Sequence, residues 1–152
     1  MRIRERLRKL RKFWMEFRND PRTNPAVADV KCKAGSLLLE TGEDANALVL
    51  FTEAVQHDPT HVQATLGLGE AHRRMGAYEQ ALDEFRRVIH VDPKHAEAQF
   101  KLGLIYIELK DDEMARAKYD VLVRLDHPLA NQLAEAISRS GLMPRPAGAD
   151  LG

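Results

Sequence analysis

Residues 66–93 read LGLGEAHRRMGAYEQALDEFRRVIHVDP, and the pattern in this stretch recurs along the chain. Its Asp92-Pro93 follows Asp58-Pro59 after 34 residues. The same period relates small and aromatic positions, namely Gly35, Gly69 and Gly103; Ala47, Ala81 and Ala115; and Phe51, Phe85 and Tyr119. A fixed period of this length predicts stacked units, because no single unit can bury its own apolar face.

Each unit is predicted to contain two helices. Asn24 is a good cap and Pro25 suits a first helical turn, and we expect the two Asp-Pro pairs to start the following units in the same way. Gly42 and Gly76 are suited to end the first helix of their units. The third unit must turn at Lys110 without glycine. The second helices are predicted at residues 44–57, 78–91 and 112–125.

The glycine phase predicts close helix packing. A glycine inside a helix costs about 1 kcal/mol relative to alanine, so it needs a compensating contact. We expect Gly35, Gly69 and Gly103 to let a neighbouring helix approach. The recurring alanines, Ala47, Ala81 and Ala115, are expected to form the surface that faces these glycines.

The pattern resembles the tetratricopeptide repeat, W-x2-L-G-x2-Y followed by A-x3-F and P. The middle unit matches at Leu68-Gly69, Ala81, Phe85 and Pro93, while the tryptophan position holds Lys31, Thr65 and Gln99 in the three units. The resemblance implies an all-α fold, a right-handed α-solenoid of helix-turn-helix repeats. Its repeats would cover about 28–61, 62–95 and 96–129, with a capping helix at 129–140, inside a domain of residues 26–140. A flexible tail is expected at 141–152.

The resemblance also implies a concave groove that binds a protein or peptide. Carried over position by position, its residues are Cys32, Ser36, Leu39, Leu66, Glu70, Arg73, Phe100, Lys101, Leu104 and Ile107. The alternative is that some of these side chains pack between repeats or under the capping helix. One subfamily grips the C-terminal carboxylate of heat-shock chaperones with Lys and Asn at two positions of the first repeat. Cys32 and Ser36 occupy those positions, so this clamp is expected to be missing.

No catalytic or metal-binding spacing is visible. The single cysteine, Cys32, has no partner for zinc or a disulfide, and the histidines lie at repeat junctions, where solvated turns explain them. No stretch has the ~18–20 apolar residues of a spanning helix. We therefore expect a non-enzymatic protein without a cofactor, located in the cytoplasm.

The first twenty residues, MRIRERLRKLRKFWMEFRND, have a different character. They hold eight basic and three acidic residues, whereas the remaining chain holds fifteen and twenty. Helical projection over residues 1–19 places apolar and basic side chains on separate faces. The apolar face holds Ile3, Leu7, Leu10, Phe13, Trp14 and Phe17, and the basic side holds Arg4, Arg8, Arg11 and Lys12. Residues 20–25, with two prolines, are predicted to be a linker.

Four interpretations of this basic helix remain open. It can attach to an anionic membrane surface, dock on a partner or a second copy of the chain, bind nucleic acid, or pack on its own first repeat. The favoured hypothesis is a scaffold or adaptor that binds a protein in its groove and attaches to the cytoplasmic face of a membrane, or to a membrane-bound complex, through this helix. The alternative is a nucleic-acid or ribosome-associated factor.

Overall fold

The computed structural model describes residues 23–125 and 127–142. Within these ranges the chain forms α-helices and no strands, which confirms the all-α class. The helices are α1 (Pro25–Glu40), α2 (Asp44–His57), α3 (Val62–Arg74), α4 (Tyr78–Val91), α5 (Ala96–Glu108), α6 (Asp112–Arg124) and α7 (Leu129–Arg139). The chain divides into two compact units, with the boundary after Ala71. We call these two parts the first and the second unit, as distinct from the three sequence repeats, and describe each by itself.

The helix bounds follow the 34-residue pattern closely. The bounds predicted for α2 and α4 are confirmed, and α6 ends one residue before its predicted limit. The predicted capping helix is α7, and α1 begins at Pro25, inside the predicted linker. The predictions for residues 1–19, for most of the linker and for residues 143–152 lie outside the described residues. The division into domains stays a prediction.

The helix starts agree with expectation at Asn24 and differ at the Asp-Pro pairs. Asn24 Oδ1 accepts hydrogen bonds from the N–H groups of Ala26 and Val27 at 3.0 and 3.3 Å, as a cap should. Asp58 does not cap a helix in this way. Its Oδ1 accepts from the N–H and the hydroxyl of Thr60 at 3.0 and 2.7 Å, and so closes a turn that precedes α3.

Histidines cap α3 and α5 instead, and a third histidine, one residue before the cap position at Pro128, contacts the start of α7. The Nδ1 atoms of His61, His95 and His127 accept hydrogen bonds from the N–H groups of Ala64, Ala98 and Leu129, at 3.1, 3.3 and 3.2 Å. These contacts satisfy N–H groups that have no carbonyl partner in the first turn of a helix. The junction histidines therefore have a structural role that the sequence pattern did not reveal.

The helix ends depend on residues with positive φ. Gly42 and Gly76 have φ of 81° and 75°, as predicted for the ends of the first helices in their repeats. Lys110 takes the corresponding position with φ of 60°, although it carries a Cβ. The third repeat therefore makes the same turn at a steric cost that glycine avoids.

In the first unit, α1, α2 and α3 pack around Phe51. A Cβ placed on Gly35 would lie 3.0 Å from Phe51 Cζ, and one on Gly67 would lie 2.2 Å from Phe51 Cε1. The atoms nearest to Gly35 across this contact belong to the phenylalanine ring, and the expectation that Ala47 forms part of the facing surface stays a prediction. Ala47 and Phe51 are both buried in this core.

In the second unit, the equivalent glycine faces a different helix. A Cβ on Gly103 would lie 2.6 Å from Leu133 Cδ2, so the atoms nearest to this position belong to the capping helix α7. Along α4, Ala81, Leu82, Phe85 and Val88 are buried at helical spacing and form one apolar stripe.

Candidate functional site

The first unit contains a groove of about 610 Å³. Its lining consists of one side of α1 together with the segment that leads into α3: Asp29, Cys32, Lys33, Ser36, Leu37, Glu40, His61 and Gln63. We call this the α1 groove. Its α1 residues recur at spacings of three and four, as expected for a single helical face.

One end of the α1 groove is fixed by a histidine and a carboxylate. His61 Nδ1 accepts the N–H of Ala64, so the ring hydrogen resides on Nε2 and is donated to Asp29 Oδ1 at 2.8 Å. The same imidazole thus caps α3 and holds α1. The end of the α1 groove at His61 and Asp29 is therefore held in a defined position.

The thiol of Cys32 lines the groove but is almost completely covered, with 7% of the residue exposed. Burial raises the pKa of the Cys32 thiol, the charge of Asp29 raises it further, and the charge of Lys33 opposes them. A thiol that stays protonated is a poor nucleophile. The environment of Cys32 therefore does not resemble that of a catalytic cysteine.

Ser36 is exposed, and its hydroxyl is engaged by its own helix. Its Oγ donates to the carbonyl oxygen of Cys32 at 3.0 Å. Leu37, the next residue, is 60% exposed and gives the groove an apolar contact surface.

The remaining predicted groove residues of the first unit lie outside the lining of this cavity. Leu39 is half-buried, and Leu66 and Glu70 are buried. Leu66 and Glu70 therefore offer little surface to a ligand. The sequence pattern did not indicate six of the lining residues: Asp29, Lys33, Leu37, Glu40, His61 and Gln63. The first four lie on α1, and their helical spacing from Cys32 and Ser36 could have revealed them.

The predicted groove residues of the second unit form a stripe on α5. Phe100, Leu104 and Ile107 are half-buried at helical spacing, and Lys101 beside them is also half-buried. Arg73 Nη1 lies 4.0 Å from Glu108 Oε1, which places an ion pair at the end of α5. That the residues of either unit bind a ligand stays a prediction.

The described residues show neither metal-binding nor membrane-spanning features. Residues 23–125 and 127–142 contain no group of three or more His, Cys, Asp or Glu side chains that could hold a metal ion. None of the helices in these ranges is both long enough and apolar enough to cross a bilayer. All ten residues predicted for the N-terminal basic helix lie outside the described residues.

Solved structures of tetratricopeptide repeat (TPR) proteins are similar to this chain. The TPR2AB domain of yeast Sti1 in its pHSP90 complex has a TM-score of 0.73 at 17% identity, covering 92% of this chain and 55% of that one. The first TPR of Spaghetti (RPAP3), bound to the HSP90 peptide SRMEEVD, has a TM-score of 0.69 at 17% identity, covering 80% of this chain and 99% of that one. The Sgt2 TPR domain of Aspergillus fumigatus has a TM-score of 0.67 at 20% identity, covering 86% of this chain and 92% of that one. Such identities establish the fold alone.

Family models give the same assignment from sequence. No curated protein matches the chain. Two models described as tetratricopeptide repeat match residues 66–130 and 38–88. Together these matches span residues 38–130, more than half of the sequence, and the chain belongs to the tetratricopeptide repeat family.

Proposed function

We propose that this chain is a non-enzymatic adaptor that binds an extended segment of a partner protein in the α1 groove. The observation that carries the proposal is the groove itself, whose volume of about 610 Å³ lies in the range of ligand sites. It offers the exposed apolar side chain of Leu37 between the charged side chains of Lys33 and Glu40. A peptide side chain can be buried there while its flanking groups meet those charges.

Two similar structures support a peptide as the ligand, since one protein is bound to the HSP90 peptide SRMEEVD and the other is in a complex with pHSP90. The α1 groove differs from a chaperone clamp in its chemistry. Cys32 is neutral and covered, and the Ser36 hydroxyl donates to a backbone carbonyl. Neither residue supplies the cationic or amide donor that a terminal carboxylate requires. We therefore propose an internal segment as the ligand, and expect the peptide SRMEEVD not to bind.

Selection from a random peptide library, followed by calorimetry, tests this proposal. Leu37→Glu places a charge in the groove and should weaken binding of the selected peptides about tenfold or more, because a buried apolar contact is replaced by an unpaired carboxylate. Val49→Glu is the matched control, since Val49 is 55% exposed on α2 and does not line the groove.

The outcomes separate clearly. Loss of binding with Leu37→Glu and retention with Val49→Glu support the α1 groove as the site. Equal affinity for the wild type and Leu37→Glu, with both proteins folded by circular dichroism, would place the ligand elsewhere and refute the proposal.

A second part of the proposal concerns residues 1–19, which we propose attach the protein to an anionic membrane on its cytoplasmic face. The support is in the sequence, where Trp14 accompanies Phe13 and Phe17 and eight basic residues lie among the first twenty. Co-sedimentation with anionic vesicles should be strong for the full chain and lost on deletion of residues 1–20. If the full chain does not sediment with the vesicles, direct lipid attachment is wrong.

The same basic segment favours one alternative, a nucleic-acid or ribosome-associated role. Phosphate contacts from lysine and arginine would give an affinity for RNA that falls steeply with salt. A salt titration with RNA measures this directly. Absence of affinity at low salt eliminates the alternative and leaves the adaptor proposal untouched.

A further inference from the structure

One face of α1 in the first unit is apolar and exposed. Val30 is 68% exposed and Leu37 is 60% exposed, and Ala34 between them is also exposed. The three residues follow one another at spacings of four and three, so they share one side of the helix. We call them the α1 stripe. Leu37 also borders the α1 groove, whereas Val30 and Ala34 do not line it, and the stripe is therefore a separate surface.

The positions of the α1 stripe are buried in the next two repeats. One and two periods further along the chain, each of the six equivalent residues is 6% exposed or less: Ala64, Leu68 and Ala71 on α3, and Ala98, Leu102 and Ile105 on α5. Those on α3 pack in one core with Ala47 and Phe51 of the preceding helix, α2. The stripe therefore corresponds to the surface of α3 that α2 covers, and no helix precedes α1 within residues 23–125 and 127–142.

The repeat register continues into the sequence before α1. Phe17 lies 34 residues before Phe51, and Asn24-Pro25 lies 34 residues before Asp58-Pro59. Residues 10–23 therefore have the same phase as α2, the helix that covers the equivalent surface of α3. Because Phe17 belongs to the apolar face predicted for this part of the sequence, the register supplies both the helix phase and the aromatic side chain that the α1 stripe lacks.

Charge favours the same pairing. The first twenty residues hold eight basic and three acidic residues, a net charge of +5. Residues 23–71 of the first unit hold two lysines and seven acidic residues, a net charge of −5, whereas residues 72–142 hold eleven basic and twelve acidic residues, a net charge of −1. One of the two lysines, Lys31, already pairs with Glu53. The first unit is thus the part of the described chain that attracts the basic segment most strongly.

We propose that the apolar face of residues 1–19 docks on the α1 stripe of the same molecule and so covers this end of the first unit. The end of a repeat stack requires an element with a polar outer face, and the basic side chains of this segment lie outside its apolar face. The connection is long enough, because residues 20–24 span up to about 16 Å when extended. Packed helices lie only about 8–10 Å apart.

Docking on α1 and insertion into lipid would use the same apolar face of residues 1–19. A docked segment still directs its arginine and lysine side chains outward and attracts an anionic membrane through charge. The docking proposal concerns the protein without lipid. It is therefore tested separately from vesicle binding, and variants at Val30 separate it from peptide binding in the α1 groove.

Trp14 reports on the docking, since it is the only tryptophan of the chain and belongs to the predicted apolar face. Its emission and its quenching by acrylamide are measured in the full chain without lipid, at a concentration where sedimentation shows a monomer. We expect blue-shifted emission for the wild type. Val30→Glu should shift the emission to the red and raise the quenching constant several-fold, because it places a charge in the apolar contact. Phe17→Glu should have the same effect from the other side of the contact.

Val49→Glu is the matched control and should leave the emission unchanged. Val49 is an exposed valine on α2, and its equivalents one and two periods along, Asp83 and Ala117, are exposed as well. Circular dichroism verifies that the variants are folded. If Val30→Glu does not fold, Phe17→Glu keeps the test decisive, because it leaves the sequence of residues 23–142 unchanged.

Three results would overturn the proposal. The first is a water-exposed Trp14 in the wild-type monomer. The second is equal quenching of the wild type and of the folded Val30→Glu or Phe17→Glu variant. The third is protection of Trp14 that appears only as the chain dimerises, which would assign the α1 stripe to a second copy of the chain.

Discussion

The two units use the same repeat position in different ways. In the first, Gly35 faces the ring of Phe51, which belongs to α2, and Gly67, two residues before the repeat position at Gly69, faces the same ring. In the second, Gly103 faces the aliphatic end of Leu133 on the capping helix. The period determines where a small residue occurs, whereas the identity of its neighbour depends on what each unit must cover.

The largest expected effect is at the centre of the first unit. Phe51→Ala should lower the free energy of unfolding by about 3–5 kcal/mol, because it removes a fully buried ring and leaves a cavity. Urea denaturation measures the loss. A loss below 1 kcal/mol would show that the ring does not organise this core.

The glycines sharpen the comparison between the units. Gly67→Ala should cost about 1–3 kcal/mol, because the added methyl overlaps a rigid buried ring. Gly103→Ala should lower the free energy of unfolding by less. Its added methyl meets the end of a leucine side chain, and the alanine gains about 1 kcal/mol in helix propensity. Denaturation of both variants gives the order. If Gly103→Ala is the more damaging, the contrast between ring and leucine is wrong.

A double variant tests the cause of the Gly67 effect. With Phe51→Leu in the background, Gly67→Ala should be less harmful than in the wild type, because the ring that it meets has gone. Equal costs in both backgrounds would assign the effect to another neighbour.

Much of the fold follows from the sequence, and the reasons are local. Asp44–His57 and Tyr78–Val91 are predicted correctly because glycine ends the preceding helix and the apolar spacing continues through the segment. The caps of the helices that follow Asp58-Pro59 and Asp92-Pro93 are not predicted correctly, because they depend on how a histidine ring is oriented three residues after each aspartate.

The candidate site follows from the sequence only in part. Cys32 and Ser36 are among the lining residues of the α1 groove, whereas Leu66, at the position of the next repeat that corresponds to Cys32, is not. That either position binds a ligand stays a prediction. His61 lines the groove because it bonds Asp29, 32 residues earlier. A tertiary contact of this kind leaves no trace in the repeat period.

The histidine caps offer a smaller and independent comparison. His95→Ala should cost about 1 kcal/mol, as the loss of a helix cap usually does, and His95→Asn should restore most of it. Thermal denaturation compares the three proteins. If asparagine is no better than alanine, the His95 contact to Ala98 does not act as a cap.

The smallest effect concerns pH. Since the pKa of the Cys32 thiol is raised in the folded chain, its neutral form contributes stability below its unfolded pKa, and this is lost as pH rises through the folded value. The stability advantage of the wild type over Cys32→Ala should therefore shrink at alkaline pH. An advantage that grows with pH would contradict the buried, neutral thiol.

The most direct test of the α1 groove uses Cys32 as a reporter, since the chain has no other cysteine. The rate of its alkylation is measured with and without a saturating peptide from the library selection. The small part of Cys32 that stays accessible, 7% of the residue, belongs to a side chain that lines the α1 groove, so we expect a bound peptide to remove this access and to slow the reaction several-fold. An unchanged rate at full saturation would show that the peptide binds outside the groove, and would contradict the central claim.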